Sequence, residues 1–209
     1  MSVPDRSIDP RLLDAAREEF LKNGYDKTSL ADICKAAGVT TGALYKRYSG
    51  KEDLFCALVA DTIRDMEAYV KALEQLDLSS WTDREIYNSF SLPTEMNMEW
   101  LRYLYDRREG FQLLVHSASG TRYSNFYHDW TANMNTLEKK FYQEARRRGM
   151  ATREISDEEL HVLTYSVWAL YYDPFYFYLT WEQIEKHAEN IHRFIDWHRV
   201  LGMKEPAAD

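Results

Sequence analysis

Cysteine, proline and glycine are scarce in this chain, and each scarcity excludes a class of protein. Two cysteines, Cys34 and Cys56, cannot build a disulfide framework, and both lie among apolar residues in stretches that read as helices. They read as small buried thiols in a reducing compartment rather than as a redox switch. Five prolines and eight glycines leave few turn signals, and no alternation of apolar and polar residues is sustained long enough to suggest strands. No apolar run approaches the roughly 18 residues that a membrane-spanning helix requires, so a membrane partner is not expected. The opening MSVPDRSIDP lacks the basic and apolar stretches of an export signal, which points to the cytoplasm. A nucleotide-binding glycine loop, a zinc-ligand spacing and a nucleophile elbow are all missing. No enzymatic activity, metal or cofactor is therefore expected.

What is present is helical periodicity. Apolar residues make up 45% of the chain and aromatics 14%, enough to bury a sizeable core. Apolar positions recur at spacings of three and four almost throughout, predicting an all-α protein. The first helix is expected to be capped by Asp9, with Pro10 in its first turn, and to stop at Gly24 with Tyr25 folding back on it. Thr28 is read as the cap of a short helix that ends at Gly38, and Thr40 as the cap of a shorter one, Thr41 to Tyr48. A longer helix follows the Ser49-Gly50 break and runs to about Leu76. Loops and one short helix are expected up to Thr94, with Pro93 as a breaker. Further helices are expected at about 95–107, 109–118, 123–148, 156–179 and 182–201, followed by a loose tail from Lys204.

The net charge of -8 argues at first against a nucleic-acid partner, because affinity for phosphates rests on Lys and Arg. Its distribution matters more. Residues 1–50 carry +1 and the remainder -9, and the stretch from Ile33 to Lys51 holds Lys35, Lys46, Arg47 and Lys51 without one acid. An acidic remainder would repel DNA from every other approach. Two short helices joined by a glycine turn form a helix-turn-helix pattern. In such a unit the second helix offers its N-terminal turn, here Thr40, Thr41, Gly42 and Ala43, to base edges in the major groove. Tyr45, Lys46 and Arg47 would then reach phosphates on either side. Gly42 weakens a helix, which is understandable if the backbone must approach DNA closely. Lys51 opens the next helix, where a cation opposes the helix dipole unless an anion lies nearby. The competing reading is a three-helix unit with a merely solvated basic face.

The segment TSLADICKAAGVTTGALYKRYSGKEDLF, residues 28–55, resembles the N-terminal part of the tetracycline-repressor-like (TetR) regulators. The shared features are a threonine-capped helix, an Ala-Gly-Val turn, a short helix ending in Leu-Tyr, an aromatic residue and then Lys-Glu. Close resemblance covers about Asp9 to Leu58; beyond it only length and helix order correspond. It implies phosphate contacts for Thr28, Thr40, Tyr45, Arg47 and Lys51, and positions near the bases for Thr41 and Gly42. Two departures stand out. Ala43 occupies a place where many members carry Ser or Thr, offering a methyl group, for instance to thymine, in place of a hydroxyl. Arg47 replaces a common His, keeping charge but changing reach.

The resemblance implies a DNA-binding domain at residues 1–52 and a ligand-binding, dimerising domain at residues 53–209. Trp130, Met134, Tyr165 and Trp168 are the expected lining of a cavity for a flat or partly apolar effector, although helical spacing alone would place most aromatics in a core. The last two long helices are expected to pair with those of a second copy. A single short recognition helix meets few base pairs, so a homodimer on a palindromic operator, with half-sites one or more turns of roughly 34 Å apart, would supply specificity. The implied function is a ligand-released repressor, with an activator or a ligand-independent DNA binder as alternatives. A metal-dependent bundle enzyme is the distant rival, since Glu158-x-x-His161 and Glu189-x-x-His192 have the spacing of di-iron carboxylate proteins. In an antiparallel hairpin turning near Thr180 the two histidines would stand at levels roughly 10 Å apart, too far to share a metal pair.

Overall fold

A computed structural model describes residues 8–91 and 95–207. Pro93 and the last two residues of the expected tail lie outside them, as does the His192 side chain. The helices are α1 (Ile8–Lys27), α2 (Leu30–Ala37), α3 (Thr41–Tyr45), α4 (Lys51–Glu74), α5 (Asp83–Ser89), α6 (Glu95–Asp106), α7 (Arg108–His116), α8 (Phe126–Arg147), α9 (Asp157–Tyr176), α10 (Trp181–Phe194) and α11 (Trp197–Leu201). A 3₁₀ turn at Leu78–Ser80 precedes α5. Among the described residues the fold is all-α, with no strand and one isolated antiparallel bridge between Ala151 and Met203.

The chain forms two compact units. The first comprises the residues up to Met66 together with Arg107–Tyr127, and the second comprises Glu67–Asp106 and His128–Asp209. In the first, α1 turns Leu12, Ala16 and Phe20 inward at spacings of four, against Ile33 and Cys34 of α2, Leu44 of α3 and Leu54, Phe55 and Val59 of α4. Gly24 takes φ 76° and ψ 162°, which breaks α1 before a last short turn. Tyr25 then packs back on Phe20 with ring centroids 5.8 Å apart, and its N–H donates to the Ser117 carbonyl. Helix α7 lies so close to α4 that a Cβ at Gly110 would collide with the buried Thr62 side chain.

In the second unit, α9 buries Leu160, Thr164, Val167, Tyr171 and Phe175 and leaves Val162, Tyr165 and Tyr176 exposed. Its N-terminus is capped by Ser156, whose Oγ accepts from the Glu159 N–H. Trp100 stacks on Tyr69 at 3.9 Å and on Trp130 at 5.9 Å, and its indole N–H donates to the Tyr172 hydroxyl. Arg148 ties α8 to the segment before α5, donating to the carbonyls of Leu78 and Trp81 and pairing with Glu144 and Asp83. The guanidinium groups of Arg147 and Arg148, both donating to Glu144, hold its carboxyl at about 2.

Three expectations need correction here: Asp9 does not cap α1 but lies within its first turn. The last helix is not continuous to Leu201: it stops at Phe194, and the Asp196 carboxylate caps a separate α11 by accepting from the Arg199 N–H. A side-chain cap inside an apolar repeat offers the backbone an alternative to continuing the helix. The tail from Lys204 is not loose up to Pro206, because the Lys204 N–H donates to Met150 and Arg84 binds the Glu205 carboxylate and the Pro206 carbonyl.

Gly110→Ala is expected to destabilise the protein by about 1–3 kcal/mol, since Thr62 is buried and branched and α4 cannot yield without a backbone shift. Urea denaturation checks this; an unchanged midpoint would show that the two helices are free to part.

Candidate functional site

The α2-turn-α3 segment is built almost entirely from local caps. The expected cap of α2, Thr28, is replaced by its neighbour: Ser29 has the extended backbone of a cap and its Oγ accepts from the Asp32 N–H at 3.1 Å. Thr28 is buried, and its hydroxyl donates to the carbonyls of Gly24 at 2.8 Å and Glu19 at 3.1 Å, sealing the broken end of α1. At the far end of α2, Gly38 is left-handed with φ 64°, and the N–H groups of Gly38 and Val39 reach the carbonyls of Lys35 and Cys34. This is the hydrogen-bond pattern with which a glycine stops a helix and reverses the chain. Thr40 then caps α3 as expected, accepting from the Ala43 N–H at 3.2 Å.

Helix α3 is anchored by one residue, Leu44, which is fully buried, with Tyr48 half-buried one turn on. Thr40, Thr41, Gly42, Tyr45 and Lys46 are exposed, and Ala43 is half-exposed. Gly42 does not have a left-handed backbone, and a Cβ there would meet nothing closer than the Thr40 hydroxyl at 4.0 Å. The chain itself therefore does not require glycine at this position.

The two remaining cations are turned inward. The Arg47 guanidinium pairs with Asp9 and donates to the Ala43 carbonyl, with only 17% of its side chain exposed. The Lys51 ammonium lies 4.2 Å above the Tyr25 ring and donates to the carbonyls of Tyr25 at 2.7 Å, Thr28 at 3.0 Å and Asp26 at 3.4 Å. A cation at the start of α4 is thus compensated by carbonyl groups at the end of α1, the negative pole of that helix. Composition shows that Arg47 and Lys51 are positive but not that the fold supplies them with acceptors. Both cysteines are free thiols, pushed up in pKa by burial.

In the second unit a cavity of about 80 Å³ of space open to the centre of a water molecule lies between α4, α5, α6, α8, α9 and α11. One water needs only about 10–15 Å³ on that scale, so this is more than a packing defect. Met134 and Trp168, two of the four residues expected to line a cavity, are on its wall. Trp130 is not: it is buried in the aromatic stack with Trp100 and Tyr172. Tyr165 is not either, being 38% exposed on the outer side of α9. The α9 periodicity that directs Thr164, Val167, Trp168 and Tyr171 to the wall directs Tyr165 away from it. Sequence reading missed Glu138, which shares the cavity wall with Met134, Leu137 and Phe141 at helical spacing. An acid within an apolar stripe was the available signal. Among the described residues no three His, Cys, Asp or Glu side chains gather as a metal site.

Residues 12–58 match the family model described as bacterial regulatory proteins, tetR family. The HTH-type transcriptional regulator QacR of Staphylococcus aureus is 30% identical over 141 residues, which is 65% of this chain and 65% of QacR. UidR of Escherichia coli, another HTH-type transcriptional regulator, is 33% identical over 86 residues, 41% of this chain and 42% of UidR. The chain thus matches less than two thirds of the length of these curated relatives. A TetR-like transcriptional regulator from Rhodococcus sp. RHA1 has the same fold over 96% of this chain and all of its own, with a TM-score of 0.60 at 14% identity. Residues 12–58 thus match the tetR-family model, and the chain is similar to HTH-type transcriptional regulators.

Replacing Lys51 by Met keeps the stem but leaves three carbonyls without their cation. A loss of about 1–3 kcal/mol is expected in denaturant unfolding even without DNA. Unchanged stability would mean that the ammonium is dispensable to the free protein.

Proposed function

We propose that this protein is a cytoplasmic, ligand-responsive transcriptional repressor that binds a palindromic operator as a homodimer and is released by a small molecule bound in its second unit. Residues 1–52 serve as the DNA-binding domain, and residues 53–209 sense the ligand and dimerise. The observation that carries this reading is the outer face of α3: Thr40, Thr41, Gly42, Tyr45 and Lys46 are exposed and acid-free, and Gly42 is a glycine that nothing inside the protein demands. A backbone that must approach an external surface supplies the missing reason.

On this reading Thr41, Gly42 and Ala43 face base edges, while the Thr40 hydroxyl, the Tyr45 phenol and the Lys46 ammonium meet phosphates. Thr28, Arg47 and Lys51 act chiefly by fixing the turn and the ends of α1 and α4 around α3. The two cations still add to the local positive field.

The second copy is expected on the outer faces of α9 and α10. Val162 is 62% exposed on α9, Phe177 67% just after it and Phe194 79% at the end of α10. Large apolar side chains left bare are the residues an isologous interface would cover. Effector binding lowers operator affinity if the ligand prefers the dimer geometry in which the two copies of α3 no longer fit successive half-sites.

The test is selection of duplexes from random DNA by the purified protein at low ionic strength, with sedimentation to give its mass. A palindromic consensus bound by a dimer is expected; a monomer indifferent to every duplex overturns the reading. Gly42→Ala should leave thermal stability equal or higher by up to about 1 kcal/mol while weakening binding to the selected operator at least tenfold. Lys46→Ala should weaken all duplexes evenly and lower the salt slope by about one, whereas changes at Thr41 should shift sequence preference. Val162→Glu should shift the protein towards monomer and reduce operator affinity in parallel, as followed by sedimentation and by DNA titration.

A further inference from the structure

The cavity of the second unit is apolar on nearly every side except at Glu138. Its wall carries Tyr69 of α4, Phe90 at the end of α5, Phe141 of α8, Trp168 and Tyr171 of α9, and Trp197 of α11. Six aromatic rings around one carboxyl group are an unusual way to build a core. Glu138 is partly buried, and a carboxylate in such a setting normally acquires a cation or several N–H donors, because otherwise its loss of hydration is uncompensated. Glu138 has neither an ion-pair partner nor a hydrogen-bond donor among the described residues. No Lys, Arg or His is on the wall; the other ionisable groups there are the phenols of Tyr69 and Tyr171, and the Glu138 charge raises the pKa of both. Asn97 and Thr164 are the remaining polar groups of note, and the Thr164 hydroxyl is committed to the Leu160 carbonyl and to Asn135.

We propose that this cavity receives a small organic cation with an apolar body, its charge met by Glu138 and its body enclosed by the aromatic wall. The inference rests on the effector role proposed above and narrows the effector to one chemical class. Aromatic faces carry the negative end of the ring quadrupole, so rings and carboxylate favour the same sign of charge, and both interactions strengthen when water is excluded. An anion would meet an acid and several ring faces without one cationic side chain. A neutral apolar ligand would fill the space but leave the carboxyl group as isolated as before.

The protonation behaviour fits this geometry. Burial alone pushes the Glu138 carboxyl up to about 7, so the empty cavity holds a neutral acid below that pH and an unpaired carboxylate above it. A cation binds the ionised form. Its affinity should therefore rise about tenfold per pH unit on approaching pH 7 from below and level off above it, one proton being released per ligand on the acid side. Tyr69 and Tyr171, both raised by burial and by Glu138, stay neutral throughout that range and do not contribute to the rise.

Phenyltrimethylammonium and tert-butylbenzene have the same shape and differ in charge, which makes them a suitable pair of probes. Binding of each to the full-length protein is followed by quenching of tryptophan fluorescence, since Trp168 and Trp197 are on the wall. The expected result is that the cation binds at least tenfold more tightly than the hydrocarbon at pH 8, that this preference shrinks by pH 5, and that Glu138→Gln abolishes it without weakening the hydrocarbon. Equal binding of the two probes to the unaltered protein at pH 8, or an equal loss of both in Glu138→Gln, overturns the proposal. Because the pH-dependent preference is measured on the unaltered chain, it decides the matter even if the variant folds poorly. Titrating the selected operator in parallel separates the two readings. Operator binding with no cation preference sinks this inference alone, whereas cation binding that leaves operator affinity unchanged sustains the cavity's specificity and sinks the effector role.

Discussion

A helix of five residues cannot hold itself together, and the first unit is organised around that constraint. Isolated helices below about 12–15 residues are marginal in water because the cost of the first turn is not recovered. Helix α3 has five residues and one fully buried side chain, Leu44. What stabilises it comes from outside: the left-handed turn at Gly38, the Thr40 cap, and the Arg47 guanidinium that returns to the Ala43 carbonyl while paired to Asp9. The Lys51 ammonium fastens the start of α4 to the end of α1, so the two helices that frame α3 are tied by a charge-assisted contact as well as by the Phe20 and Phe55 rings. Because local bonds and a few neighbours hold α3 from one side, its other side is free to present Thr41, Gly42, Tyr45 and Lys46 without any of them serving the fold.

Much of that arrangement was legible in the sequence because it is local. Caps, glycine stops and helical spacing act within four or five residues, and for that reason the Gly38 stop and the Thr40 cap are legible in the chain alone. Where two adjacent residues could cap, as with Thr28 and Ser29, the sequence did not decide between them. The outcome depended on the Glu19 and Gly24 carbonyls, which only the folded α1 brings within reach of the Thr28 hydroxyl. The same limit hid the inward turn of Arg47 and Lys51, whose acceptors lie 38 and 23 to 26 residues away, and the break before α11, where Asp196 competes with an apolar repeat that reads as continuous. For the cavity, α9 periodicity correctly brought Trp168 to the wall but could not tell that Trp130 would be absorbed by the ring stack with Trp100, a partner from another helix.

The two units answer the same physical problem in opposite ways. In the first, cations that could have stood unpaired are given acceptors: Lys51 has three carbonyls and Arg47 has a carboxylate and a carbonyl. In the second, Arg148 and Glu144 satisfy each other to the extent that the Glu144 carboxyl stays ionised down to about 2. Glu144 contributes stability that is complete above its unfolded range and is lost only as pH falls towards 2. Glu138 departs from this pattern on the same helix, less than two turns away. Its carboxyl is raised to about 7 rather than lowered, so its ionisation costs stability, a cost absent below about pH 4.5 that grows as pH rises to 7.

A cost of that kind does nothing for folding. Gln is nearly isosteric with Glu and would escape most of the penalty, and a Leu in the stripe of Met134, Leu137 and Phe141 would pack without a polar atom at all. The penalty instead measures how much a suitable partner could recover by entering, because any cation that relieves the carboxylate gains that energy differentially over the empty state. A ligand shifts an equilibrium only by its difference in affinity for the two states. A lone acid in a ring of aromatics makes that difference depend on charge, a property that packing alone cannot sense.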